Sequence, residues 1–242
     1  MTEEMLNELP EKGFCIIENV FASTEIKNLK KKFKLCETEV HHICRKYKPD
    51  PYDFVQLFKK ETIIKMKSYC DSSVIETAKG RYDVRTQKVK DEFKDIPENP
   101  TIAKLMEACL KTRYVCDIGI LVTNSNSTDG LWHRDTYNLN GVSNPDGSYD
   151  DSLVMKLQPF YYTCLIALDD ITEENGRTEF IVGSHRLTYK EAMGNERVKH
   201  DVKAGSVVVF DGRMFHRACA HPSSHPRQMI YLVFHRDWYV DV

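Results

Sequence analysis

The chain has 242 residues, 41% of them hydrophobic and 29% charged, enough to enclose the core of one globular domain. Its 34 basic and 36 acidic side chains leave a formal net charge of −2, so the basic surplus that drives nucleic-acid binding is missing. No apolar run approaches the ~18 to 20 residues of a membrane span. Met1-Thr2-Glu3-Glu4-Met5 has no hydrophobic segment behind it, and Val240-Asp241-Val242 matches no retention or peroxisomal address. The expectation is a cytoplasmic protein with neither a membrane nor a nucleic-acid partner. Its 8 cysteines include no C-x2-C pair, and several sit in apolar runs such as Gly13-Phe14-Cys15-Ile16-Ile17. That pattern predicts reduced core thiols and argues against a zinc or disulfide framework.

The first element in chain order is a short β-like run over 13–20. Ile26, Leu29, Phe33, Cys36, Val40, Ile43 and Tyr47 then step by three and four, which predicts a helix with one buried stripe and Ser23 or Thr24 as its N-cap. Lys30-Lys31-Lys32 falls on its solvated face. Residues 52–79 read as one or two more helices, and 100–111 as another, since Pro suits a first turn. From 113 the runs become short, β-branched and turn-bounded. Strands are predicted at 114–122, 162–168, 179–182, 206–210 and 229–234, separated by turns at 124–127, 174–176 and 221–226. Strands in series without alternating helices indicate an antiparallel sandwich or barrel. The chain therefore reads as one domain over 1–242, helix-rich over 1–112 and with its barrel over 113–242. Residues 138–158, rich in Asn, Gly, Pro and Asp, read as a long loop of the kind that often serves function.

The chemistry concentrates in Leu131-Trp132-His133-Arg134-Asp135. In extended backbone, residues two apart face one side, so His133 and Asp135 present an imidazole and a carboxylate to the same volume. A lone H-x-D is common by chance. Its weight comes from the second half of the chain, where 206–210 leads through Asp211-Gly212 to Arg213-Met214-Phe215-His216. Arg227 opens the following strand, and a hairpin would place His216 and Arg227 on neighbouring strands roughly 5 Å apart. Two histidines and one carboxylate form the facial triad of non-haem Fe(II) oxygenases, leaving three metal positions for a bidentate 2-oxo acid and dioxygen. A nearby arginine suits the remote carboxylate of 2-oxoglutarate.

These motifs resemble the phytanoyl-CoA dioxygenase family of Fe(II)- and 2-oxoglutarate-dependent oxygenases over nearly the whole length. The resemblance runs in order through Gly13–Phe21, Thr24-Glu25-Ile26, Trp132–Asp135, Ala167–Gly176, Val182–Arg186 and Val209–Ala218. It implies a double-stranded β-helix, or jelly-roll barrel, supported by N-terminal helices. It also implies His133, Asp135 and His216 on iron, Arg227 on 2-oxoglutarate, and O2 as the oxidant. The sequence departs from the family at Leu165, where many relatives carry Trp, and at Ala218, where some carry Ser. Both family positions line the cosubstrate. Thr163 shares strand parity with Leu165 and Ala167 and is a candidate hydroxyl in that pocket.

Asp135 favours hydroxylation over halogenation, because a halide would need the position its carboxylate fills. The implied reaction hydroxylates a small organic molecule and releases succinate and CO2. A metal- or ligand-binding barrel without turnover is the alternative. A zinc hydrolase lacks the Glu of H-E-x-x-H, and the H-R-D-x4-N match at 133–140 lacks a kinase's Gly-rich loop and D-F-G. His185 is expected to order a turn, and His41, His42, His221 and His225 to be solvated or structural. Asp169 and Asp170 read as turn formers. The arginines of Arg81-Tyr82-Asp83-Val84-Arg85, ahead of the barrel, read as surface ion pairs with a lesser chance of meeting an anion. The acidic Asp146, Asp150 and Asp151 weigh against a polyanionic CoA ester. Neither the substrate nor the oligomeric state is legible.

Overall fold

A computed structural model describes residues 3–47, 73–78, 80–136, 155–225 and 227–239. Helix α1 (Glu3–Lys12) ends at Gly13, whose φ of +87° turns the chain into strand β1 (Phe14–Ile17). Only glycine fits there, because a Cβ would lie 2.3 Å from Met214 Sδ and 2.5 Å from the His185 ring. Helix α2 (Ser23–Tyr47) follows and buries Ile26, Leu29, Phe33 and Cys36 as its spacing demands. The side chains of Val40, Ile43 and Tyr47 lie outside the described residues, as do those of His41 and His42.

Strands β2 (Ser73–Ala78) and β3 (Arg81–Arg85) form a hairpin around Gly80. Helix α3 (Gln87–Phe93) starts where Thr86 Oγ1 accepts the Val89 N–H at 3.2 Å. Helix α4 (Pro100–Leu110) has Asn99 as its side-chain cap, proline in its first turn and Lys111 closing it in the left-handed region. The remaining strands are β4 (Tyr114–Thr123), β5 (Tyr161–Ala167), β6 (Thr178–Ile181), β7 (Arg197–Lys199), β8 (Val207–Asp211), β9 (His216–Ala218) and β10 (Gln228–Arg236).

All pairings are antiparallel. A seven-stranded sheet has the order β1-β8-β5-β10-β4-β3-β2, and it faces a three-stranded sheet ordered β7-β6-β9. This is the jelly-roll barrel with helices packed outside. Side-chain alternation gives each strand of the large sheet two jobs. Cys164, Ile166, Val209, Leu232 and Ile120 pack outward against Phe33, Phe93, Leu105 and Met106 of the helices. Leu165, Ala167, Val208, Phe210, Met229, Tyr231 and Val233 fill the space between the sheets with Phe14 and Phe180. Both faces of β5 are therefore buried along its whole length, which is why its sequence reads as an unbroken apolar run.

Two sequence expectations change. Residues 73–78 are strand and not helix, while 48–72 lie outside the described residues. Arg81–Arg85 is not ahead of the barrel. It is a strand of the large sheet, paired with β4 through Arg81↔Thr123 and Asp83↔Leu121. Its alternation was present in the sequence, with Tyr82 and Val84 on the helix side. The opposite face carries charge, so it did not look like an interior. Of the expected loop over 138–158, only 155–158 is described, and Met155 and Lys156 form part of a helical turn.

Cys15, Cys36, Cys109, Cys116, Cys164 and Cys219 are free thiols. Burial pushes Cys15 and Cys116 up to about 12, which keeps them protonated and inert. None of the described helices is long and apolar enough to cross a membrane.

Candidate active site

His133 and His216 meet through backbone first. The segment around His133 forms one antiparallel bridge to His216, with N–H···O bonds of 3.1 Å in both directions. One step on, Asp135 N–H donates to Gly212 O at 2.8 Å. This stitching stacks the two imidazoles with ring centroids 4.3 Å apart and lays Asp135 beside them. One ligand atom from each of His133, Asp135 and His216 lies within 4.8 Å of the others.

The outer atoms of the trio are held in place. His133 Nδ1 sits 2.8 Å from Leu131 O, and His216 Nδ1 sits 3.1 Å from Met214 O. A carbonyl accepts only, so each ring places its proton on Nδ1 and its lone pair on Nε2. Those Nε2 atoms are 3.7 and 3.5 Å from the same oxygen, Asp135 Oδ1. The other oxygen, Oδ2, accepts a 2.5 Å hydrogen bond from Thr163 Oγ1. Two imidazole lone pairs and one carboxylate oxygen thus converge, and this donor set suits a divalent transition metal. Burial, with some help from His133, pushes His216 down to about 4 against the pull of Asp135. Its ring is therefore neutral at physiological pH, as a ligand must be.

Arg134, between the two ligands, points the other way. It donates to the carbonyls of Ser184 and Leu187 and stands 4.0 Å over the Phe215 ring. That anchor ties the ligand segment to the three-stranded side of the barrel. Gly212 and His216 are braced in turn by Asp211 and Arg213. Arg213 donates from Nε and Nη2 to the two oxygens of Asp211 at 2.8 and 2.6 Å, and from Nη1 to Leu157 O at 2.7 Å. Sequence reasoning missed this pair; the D-x-R spacing at a strand end was its only trace.

The other predicted residues fall as follows. Thr163 lies on the interior face of β5, where its hydroxyl holds Asp135. Leu165, two residues on, is 6% exposed on the wall of an apolar pocket of about 360 Å³ shared with Ala167, Phe180, Val208 and Met229. Arg227 is buried, donating from Nε to Gly176 O at 2.7 Å and from Nη1 to Thr123 Oγ1 at 3.1 Å. It does not share a hairpin with His216. The turn between them crosses from one sheet to the other, since β9 pairs with β6 while β10 pairs with β4 and β5. They approach each other across the barrel instead.

Arg81 is also buried and not a surface ion pair; it donates to Thr128 O and Cys219 O. Arg85 and Asp83 do pair, at 3.4 Å, but inside a cluster with Tyr231. Tyr231 Oη accepts from Arg85 Nε at 2.6 Å and donates to Asp83 at 2.5 Å. Gly119 makes room for that ring, since a Cβ there would lie 2.2 Å from it. His185 orders its turn through Pro10 O at 3.1 Å. His221 is structural, bridging Asn124 O and His225 O. Asp169 accepts from the Gln228 N–H and Asp170 from the Ala204 N–H, closing turns.

The phytanoyl-CoA dioxygenase (PhyH) family profile matches residues 9–229, and the chain belongs to this family. Solved structures share its fold. The non-heme alpha ketoglutarate dependent epimerase SnoN from nogalamycin biosynthesis superposes with TM-score 0.68 at 16% identity, covering 97% of this chain and 82% of SnoN. The carbocyclase SnoK from the same biosynthesis gives 0.67 at 20% identity, over 98% of this chain and 84% of SnoK. HygX from Streptomyces hygroscopicus, with nickel and 2-oxoglutarate bound, gives 0.66 at 14% identity, over 99% of this chain and 89% of HygX.

Proposed function

We propose that this chain is an Fe(II)- and 2-oxoglutarate-dependent dioxygenase that hydroxylates a small organic substrate and releases succinate and CO2. One observation carries the reading. The Nε2 atoms of His133 and His216 and one Asp135 oxygen converge, while Leu131 O, Met214 O and Thr163 hold the opposite edges. His133, Asp135 and His216 would hold iron, which when bound supplies the redox chemistry joining O2 to the decarboxylation of 2-oxoglutarate. Thr163 positions Asp135, so its part is in holding the metal ligand. Arg227, buried yet cationic, suits the distal carboxylate of the cosubstrate, and Leu165 offers an apolar wall beside its carbon chain.

The family and the 2-oxoglutarate in the HygX structure support the cofactor assignment. SnoN and SnoK, named an epimerase and a carbocyclase, show that related barrels direct the same oxidation to other outcomes. Hydroxylation is therefore tested separately. Leu165 and Ala218, where the cosubstrate pocket lacks donors, favour the alternative of a ligand-binding barrel without turnover.

The test has two stages. Anaerobic titration should show 2-oxoglutarate binding only after Fe(II) or Mn(II) is added. Under air, Fe(II) and 2-oxoglutarate should then yield succinate, accelerated by the right member of a small-molecule panel, with one oxygen atom gained by that molecule. Binding without succinate would establish the ligand-binding barrel. Succinate with a product that gains no oxygen would retain the oxygenase and remove the hydroxylase.

A further inference from the structure

A second buried cation stands beside Arg227. Arg81 opens β3 opposite Thr123, and Arg227 reaches the hydroxyl of the same Thr123 from the start of β10. The two guanidinium-bearing residues are 4% and 3% exposed. Each commits two nitrogens to the scaffold. Arg81 gives Nε to Thr128 O at 2.9 Å and Nη2 to Cys219 O. Arg227 gives Nε to Gly176 O and Nη1 to Thr123. Each also keeps one terminal nitrogen back. Arg81 Nη1 is buried with no hydrogen-bond partner, and Arg227 Nη2 makes no bond to any described residue.

The surroundings do not neutralise the pair. Among the described residues neither arginine forms an ion pair. Asp129 is the acid whose charge Arg81 feels. Its oxygens are engaged elsewhere, however, with the Ala220 N–H at 2.6 Å and Arg217 at 3.5 Å. Burial and the charge of Arg81 together push Arg227 down to about 9. Two like charges buried side by side are unfavourable unless an anion completes them. Leu165, Ala218 and Met229 offer no side-chain donor to such an anion, so the two uncommitted nitrogens are what it would find.

We propose that Arg81 and Arg227 form a two-cation clamp for the distal carboxylate of the 2-oxo dicarboxylate cosubstrate, each giving one charge-assisted hydrogen bond. The proposal rests on the cosubstrate reading above and extends it to Arg81. A carboxylate has two oxygens with lone pairs to spare, so it can bridge two guanidinium groups that are each already tethered. The tethers keep the clamp open before binding, and little side-chain entropy is lost when the anion arrives.

The readout is the affinity ratio between 2-oxoglutarate and 2-oxobutyrate, which lacks the distal carboxylate. Both are titrated anaerobically into the Mn(II)-loaded protein. Wild type should prefer 2-oxoglutarate strongly. Arg81→Gln should shrink that preference roughly 10-fold or more, with Mn(II) affinity unchanged. A purely structural Arg81 would weaken both ligands alike and leave the ratio at its wild-type value, and that result overturns the clamp. If circular dichroism shows that Arg81→Gln does not fold, Arg81→Lys is read instead. Lysine keeps the charge but loses the fork, so the ratio should fall severalfold, and an unchanged ratio again overturns the proposal. A wild-type protein that binds neither acid, or both equally, defeats the cosubstrate reading itself.

Discussion

Thr163→Val is the most searching single substitution at the metal site. The Thr163 hydroxyl is buried and gives Asp135 Oδ2 its 2.5 Å hydrogen bond. Oδ1 is thereby left to face both histidines. Valine nearly matches threonine in volume, so the barrel keeps its packing and the carboxylate loses one donor. A hydrogen bond to a charged group contributes about 1.5–3 kcal/mol. The Asp135 side chain is 18% exposed, so water replaces part of that interaction. The lower half of the range, about 1.5–2 kcal/mol, corresponds to metal binding roughly 10- to 30-fold weaker. The assay is Mn(II) titration against a competing chelator, followed by 2-oxoglutarate titration at saturating metal. Metal affinity should drop while cosubstrate affinity holds. Metal affinity within twofold of wild type would refute the argument. A fall in 2-oxoglutarate affinity alone would return Thr163 to the cosubstrate pocket.

Arg227→Ala removes a buried donor from the proposed cosubstrate site, and 2-oxoglutarate should bind roughly 10- to 150-fold more weakly with Mn(II) affinity preserved; calorimetry reads both. The metal-free protein should lose stability in acid. His216 titrates near 6.5 when unfolded and about 4 when folded, so between those values the unfolded chain binds the extra proton. Its contribution is complete above 6.5 and is lost as pH falls toward 4, by up to about 3 kcal/mol. Urea midpoints at pH 7 and 4.5 should differ accordingly, and His216→Ala should flatten the difference. Arg213→Met strands the buried Asp211 carboxylate and should cost about 3–5 kcal/mol in urea unfolding; a loss below 1 kcal/mol would show that Arg213 does not support the turn carrying Gly212.

Much of the site was legible because it rests on local periodicity. His133 and Asp135 share a face by their spacing alone, and the β-branched runs at 162–168 and 206–210 lie within one residue of the strands they form. The family motifs fall in chain order for the same reason, since each is a short stretch whose backbone geometry is set by its own residues. Arg81, Asp83 and Arg85 were misplaced because charge normally signals solvent, whereas here it lines the inside of a barrel built to receive a polar ligand. Thr163 was assigned to the right pocket but to the wrong partner, because strand parity gives a direction and not a distance.

Residue types and their local alternation thus determined which side chains have metal-binding chemistry and which face of a strand each occupies. Tertiary structure alone decided that His133 bridges to His216, that Asp135 turns one oxygen to both and the other to Thr163, and that Arg81 lies buried beside Arg227. Those arrangements depend on pairings between distant stretches of chain, and their register is set by packing two sheets and a layer of helices around shared cores. No window of sequence contains that packing.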